Sequence, residues 1–88
     1  MLNNKVCFIT GSTRGIGWSI AKLFATNGGV IIINGRDEEK LTANLDELNQ
    51  INPKDHSKIK ADISISKDIK ETYRFIYSKY KRLDVLVN

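Results

Sequence analysis

Eighty-eight residues, 41% hydrophobic and 27% charged, suffice for one small domain with a modest buried core. No apolar run approaches the roughly 18–20 residues of a membrane span, and a single cysteine, Cys7, excludes an internal disulfide or a cysteine-based metal centre. Fourteen basic against ten acidic residues leave a net charge of +4; these cations are dispersed, which suits a small anionic ligand and argues against nucleic acid or a membrane as partner.

Met1 to Lys5 shows no signal-peptide cleavage pattern, so the expected location is the cytoplasm. Val6-Cys-Phe-Ile9 has the length and apolar character of a buried parallel strand. Gly11, Gly15 and Gly17 follow, and then a helical pattern. Strand, glycine turn and helix together aim backbone N–H groups and a positive helix end at a phosphate. Gly11 permits the tight turn, Gly15 lets backbone approach a pyrophosphate, and Gly17 allows close helix packing. The spacing is G-x-x-x-G-x-G, which is neither G-x-G-x-x-G nor a P-loop.

The first helix has an apolar face of Ile16, Ile20, Ala21, Leu23, Phe24 and Ala25, with Trp18 outside it as a partly exposed or assembly residue. Asn27-Gly28-Gly29 ends this helix. Val30 to Ile33 is a second buried strand, left through Asn34-Gly35-Arg36. Asp37 caps a second helix, with Glu38 and Glu39 in its first turn and Leu41, Leu45 and Leu48 as its buried stripe. Asn52-Pro53 breaks the pattern, and Pro53 to His56 is a polar loop that places His56 at the surface.

Ser57 to Ala61 is a weaker strand near a sheet edge. Asp62 to Ile65 leads into a third helix, with Ser66 as its cap and Ile65, Ile69, Tyr73, Ile76 and Tyr80 at helical spacing. Lys79, Lys81 and Arg82 solvate its end, and Leu83 to Asn88 is a fourth strand. Three strand–helix–strand crossovers imply a parallel sheet. A ribose-reading residue falls ~20 positions beyond the glycine turn, among Asn34 to Asp37. An acid there, Asp37, would accept from a 2′-hydroxyl, whereas Arg36, with Arg14 nearby, would pair with a 2′-phosphate.

Thr10-Gly-Ser-Thr-Arg-Gly-Ile-Gly17, directly after the first strand, resembles the T-G-x-x-x-G-x-G cofactor motif of the short-chain dehydrogenase/reductase family. The likeness covers essentially the whole chain and is nearest to 3-oxoacyl-(acyl carrier protein) reductase-type members. It implies an α/β fold, the N-terminal half of a doubly wound Rossmann-type sheet with strand order 3-2-1-4. Residues 1–88 would then form a dinucleotide-binding domain incomplete at its C-terminus, with an unpaired fourth strand. Gly11 and Asn88 meet where the strand order reverses, the place at which such sheets bind ligands.

The cofactor-binding residues implied are Gly11, Ser12, Thr13, Arg14, Gly15, Ile16 and Gly17 for the phosphates and Arg36 for NADP over NAD. Asp62 and Ile63 are implied for adenine, and Asn88 matches the first residue of an Asn-Asn-Ala-Gly motif. The implied activity is hydride transfer between NADPH and a carbonyl or alcohol, such as a 3-oxoacyl thioester. The family's catalytic asparagine, serine, tyrosine and lysine have no counterpart here, so this chain alone is expected to be inactive. A non-catalytic nucleotide-binding or complementing fragment is the alternative. Full-length members are usually homo-oligomers. Tyr77 and Lys81 repeat the Tyr-x-x-x-Lys spacing of the catalytic pair, but they precede the Leu83–Asn88 strand instead of following it, which marks them as a coincidence.

Overall fold

The computed structural model describes residues 1–88. Four strands, β1 (Val6–Ile9), β2 (Val30–Gly35), β3 (Ser57–Lys60) and β4 (Val85–Val87), alternate with helices α1 (Gly15–Thr26), α2 (Glu38–Ile51) and α3 (Ser66–Tyr80). The strands form one parallel sheet in the order β3-β2-β1-β4. The expected doubly wound topology is therefore the one observed, with its reversal between β1 and β4.

Alternation along the strands divides the core in two. Cys7, Ile9, Ile31 and Ile33 face α1 and α2, meeting Ala21, Ala25, Leu41 and Leu48. Val6, Phe8 and Ile32 face α3 and Ile76, and the Phe8 ring stands edge-on to Tyr73 at 6.1 Å between centroids. With a helix layer on each face, β1 and β2 are apolar at almost every position.

Four apolar residues depart from the faces the periodicity assigns them. Ile16 and Leu23 are 80% and 58% exposed. The α1 contact runs along Ala21 and Ala25, small residues that let the helix approach the sheet closely, and Ile16 and Leu23 share the opposite side. Trp18 is instead drawn against the core with Ile20 and Phe24, while Lys22 Nζ lies 5.4 Å from its ring. Ile65 is exposed because it occupies the cap position of α3.

Two caps illustrate how local chemistry sets the helix starts. Asp37 caps α2 as expected, its Oδ1 accepting from the Lys40 N–H at 3.2 Å. Ser66 does not cap α3; it is the first helical residue, and the carboxylate of Asp68 reaches back to accept from the Asp62 N–H at 2.8 Å.

His56 is the clearest correction: it is 6% exposed, not a surface residue. Its Nδ1 accepts from the Ile31 N–H at 2.9 Å, and Nε2 lies 2.7 Å from the Asn52 carbonyl. Lys79 likewise does more than solvate a helix end, donating to Ser57 Oγ at 2.9 Å and pairing with Asp55 at 3.3 Å. No helix is long and apolar enough to cross a membrane.

Candidate nucleotide-binding site

An open crevice of about 750 Å³ lies at the carboxyl ends of β1, β2 and β3. Its walls are the β1–α1 turn (Thr10, Gly11, Thr13, Arg14), the end of β2 with the start of α2 (Asn34 to Asp37, Lys40), and Ala61 to Ser64 after β3. Eleven of its thirteen lining residues are non-hydrophobic. This is the topological switch point of the sheet.

The turn is shaped to leave donors unused. Gly11 and Gly15 have φ of +56° and +62°, and a Cβ on either would meet nothing within 4 Å. Backbone there is both left-handed and open to an approaching group. Gly17 is a different case: a Cβ would stand 2.7 Å from the Gly11 carbonyl oxygen and 3.0 Å from Ser12 Cα. Its bare backbone lets α1 begin directly against the turn. As a result, none of the backbone N–H groups of Thr13, Arg14, Gly15, Ile16 and Gly17 donates within the chain. Arg14 supplies no side-chain cap, and the first turn holds no acid. Unpaired N–H groups at the positive end of a helix favour an anion.

Asn34 holds this turn to its neighbours. Its Oδ1 accepts from the Gly11 N–H at 3.1 Å, and its Nδ2 donates to the Ile59 and Ala61 carbonyls at 3.3 and 3.2 Å. Its backbone exchanges two further bonds with Ser12, from Ser12 N–H to the Asn34 carbonyl and from Asn34 N–H to Ser12 Oγ, both 2.9 Å. One buried residue thus ties the β1–α1 turn to β2 and the end of β3. Asn44 adds a bond from its Nδ2 to the Thr13 carbonyl at 2.9 Å.

Charge is distributed around the rim. Arg14, Arg36 and Lys40 provide cations, Asp37 and Asp62 anions. The Asp62 carboxyl sits below its usual range, chiefly through the Ser64 hydroxyl and N–H, which donate to Oδ1 at 2.6 and 3.0 Å, and less through Arg36. Asp62 Oδ2 lies 3.7 Å from Arg36 Nη1, whose side chain is 79% exposed. The Ile63 N–H has no partner in the chain.

Of the residues expected to bind cofactor, Gly11, Thr13, Arg14, Arg36, Asp62 and Ile63 line the crevice. Gly15, Ile16 and Gly17 form the first turn of α1 above it. Ser12 is fully buried with its hydroxyl turned to Asn34, so it shapes the turn from inside. Asn88 is outside the lining; Thr10 Oγ1 donates to its Oδ1 at 3.4 Å beside the end of β4. Tyr77, half exposed on α3, and Lys81, which donates to the Ser78 carbonyl, are both away from the crevice. Sequence reasoning missed Lys40, and it placed Asn34 only among the candidate ribose readers, not as the brace of the turn. A lone amide ending an isoleucine run was the available signal for Asn34.

Residues 5–88 match the family model described as short chain dehydrogenase. The chain belongs to the short chain dehydrogenase family. It is 35% identical over 88 residues to a 3-oxoacyl-[acyl-carrier-protein] reductase of Aquifex aeolicus, covering 99% of this chain and 35% of that protein. It is 39% identical over 90 residues to D-beta-hydroxybutyrate dehydrogenase of Cupriavidus necator, covering 100% of this chain and 34% of that protein. Among solved structures, L-sorbose reductase of Gluconobacter frateurii complexed with NADPH and L-sorbose superposes with a TM-score of 0.95 at 28% identity, over 99% of this chain and 33% of that one. A metagenomic short-chain oxidoreductase in complex with NADP gives 0.88 at 30% identity, over 97% of this chain and 38% of that one. The chain spans about a third of the length of the curated relatives it matches.

Proposed function

We propose that this chain is the NADP-binding portion of a short-chain oxidoreductase that transfers hydride between NADPH and a carbonyl or alcohol substrate. The observation that carries the reading is the run of unpaired N–H groups from Thr13 to Gly17, set beside Arg14, Arg36 and Lys40. A dinucleotide presents an anionic pyrophosphate, which suits the former, and NADP adds a 2′-phosphate, which suits the latter. The residues present fit this group: Gly11 and Gly15 offer open backbone, and Asp62 with the free Ile63 N–H offers one acceptor and one donor to an adenine edge.

Binding and orientation are the roles this chain's own residues perform. Thr13 to Gly17 would hold the pyrophosphate, with the helix end stabilising its charge. Arg36 would select the 2′-phosphate, and Asp62 and Ile63 would read adenine. Asn34 keeps the turn in its binding shape through its bonds to Gly11 and Ser12. When bound, the nicotinamide supplies the hydride. No tyrosine is among the crevice-lining groups, and Tyr77 with Lys81 lies elsewhere. The 88-residue chain alone is therefore proposed to bind without turnover, and a non-catalytic or complementing fragment is the reading that this arrangement favours second. The likeness to an acyl-carrier-protein reductase supports a 3-oxoacyl thioester as substrate of the complete catalytic unit. The single unpaired thiol, Cys7, supports a reducing compartment such as the cytoplasm.

The test is the affinity of the chain for NADPH and NADH, with Arg36→Asp alongside. NADPH should bind more tightly, and the substitution should weaken NADPH by about tenfold, the loss of one charge-assisted bond, with little effect on NADH. Equal losses for both would remove the NADP assignment. No saturable binding of either to a folded chain would remove the nucleotide site.

A further inference from the structure

At the end of the sheet away from the crevice, β3 is attached by side chains before its ladder begins. Pairing of β3 with β2 starts at Ile32 and Ser57. The preceding N–H on β2, that of Ile31, therefore has no β3 carbonyl to receive it. His56 supplies the acceptor: Nδ1 lies 2.9 Å from the Ile31 nitrogen, and the group is buried. An imidazole that accepts at Nδ1 carries its proton on Nε2, and Nε2 is 2.7 Å from the Asn52 carbonyl at the end of α2. Both ring nitrogens are committed, and the neutral form alone satisfies both partners.

A second attachment flanks it. Lys79 Nζ donates to Ser57 Oγ at 2.9 Å, Ser57 Oγ lies 2.5 Å from Tyr80 Oη, and Tyr80 Oη donates to the Asp55 carbonyl at 2.6 Å. Residues on both sides of His56 are thus pinned to the end of α3, so the ring has little freedom to swing out. The charged and titratable groups near it are Lys54 and Asp55 of its own loop and Lys79 and Tyr80 of α3. The groups that β2 and α2 place on the ring, the Ile31 amide and the Asn52 carbonyl, are uncharged.

We propose that His56 is a proton-operated catch: neutral, it hangs the start of β3 on β2 and α2; protonated, it releases that strand end. Adding a proton to Nδ1 would set two N–H donors against each other inside the core, and the ring must leave or Ile31 must lose its partner. The far end of the same strand carries Ala61 to Ser64, the outer wall of the crevice. Release of β3 consequently loosens that wall, which links acid to nucleotide affinity. This last link rests on the nucleotide reading; the catch itself does not.

Burial, outweighing the Asn52 bond and Asp55, holds the imidazole below its ordinary value of 6.5. The unfolded chain then takes up the proton first. Stability is full above about 6.5, falls as pH drops below that value, and levels off beneath the lower folded value.

The experiment is nitrogen-15 NMR of the full chain from pH 7.5 to 5, read at the His56 ring and at the Ile31 amide. The wild type should show the Nε2-protonated tautomer, a titration midpoint below 6.5, and loss of Ile31 exchange protection as His56 protonates. His56→Asn keeps an acceptor near the Nδ1 position without a titrating group, and should retain Ile31 protection over the interval while losing the acid step in urea midpoint. The opposite tautomer, a midpoint at or above 6.5, an Ile31 amide unprotected at pH 7.5, or an acid step unchanged in His56→Asn would each overturn the catch. Measured in the same samples, 2′,5′-ADP affinity separates the two claims. If protection falls but affinity is absent at every pH, the nucleotide reading fails and the catch stands.

Discussion

The two ends of the sheet are built on opposite rules. At the carboxyl ends, the backbone is left unpaired: five successive N–H groups, Thr13 to Gly17, lie in and just above a polar crevice. At the amino ends, side chains accept from backbone donors that the strand pairing leaves, and further bonds close the surrounding loops. His56 completes β2, Asp84 Oδ2 accepts from the Val6 N–H at 2.8 Å, and Lys54 bonds to Asn4 at 2.8 Å. Leu2 and Asn4 N–H groups donate to Asn27 and Gly28, closing the loop after α1. A binding site needs unsatisfied donors held in place, and unsatisfied donors destabilise a fold unless water or a ligand meets them. The contrast shows where the chain tolerates that cost and where it does not. The crevice is open, whereas the Ile31 N–H at the amino end is buried and bonded.

Substitutions can break the contrast from either side. The largest effect is expected from Gly17→Val, because the Gly11 carbonyl 2.7 Å from the new Cβ is backbone and cannot turn aside. Overpacking of this kind costs on the order of 3 kcal/mol, and nucleotide affinity should be lost together with the urea midpoint. Asn34→Ala comes next. It strands the Gly11 N–H and frees two carbonyls, Ile59 and Ala61, and should cost about 2 kcal/mol by chemical denaturation. It should also weaken nucleotide binding, because the Gly11 turn loses its brace.

Tyr80→Phe tests the closed end. Removing the hydroxyl that bridges Ser57 and the Asp55 carbonyl should cost about 1 kcal/mol, with nucleotide affinity at neutral pH nearly unchanged. A larger loss of affinity than of stability would show that the ends are not separable as described. Cys7 gives the smallest perturbation. Burial, and secondarily Asp84, pushes its thiol up to about 11, so a thiol reagent at pH 8 should label it only through unfolding. Labelling much faster than global unfolding would mean that the amino end opens on its own.

Much of this architecture was legible in the chain because it rests on patterns with short range. The apolar runs at Val6 and Val30, the glycine spacing, and the Asp37 cap each declare themselves locally, and their order determines a parallel sheet with a switch point. The residues that eluded the pattern act over long range. His56 stands in a polar loop whose composition reads as solvent-facing; only the position of the Ile31 N–H, twenty-five residues earlier, gives it a buried task. Asn34 similarly joins the turn after β1 to the end of β3. Ile16, Leu23 and Trp18 depart from the face that hydrophobicity alone marks on α1, because the small Ala21 and Ala25 set its closest approach. Ser12 sits in the motif but its hydroxyl points inward, a distinction the motif does not encode.

The most direct measurement is an NADPH titration of the isotope-labelled 88-residue chain, followed amide by amide. The account predicts saturable shifts at Thr13 to Gly17, Arg36 and Ile63, while Ile31, Ser57 and Val6 stay where they are. A folded chain whose Thr13 to Gly17 amides do not respond, or whose responses fall at the amino ends of the strands, would contradict it.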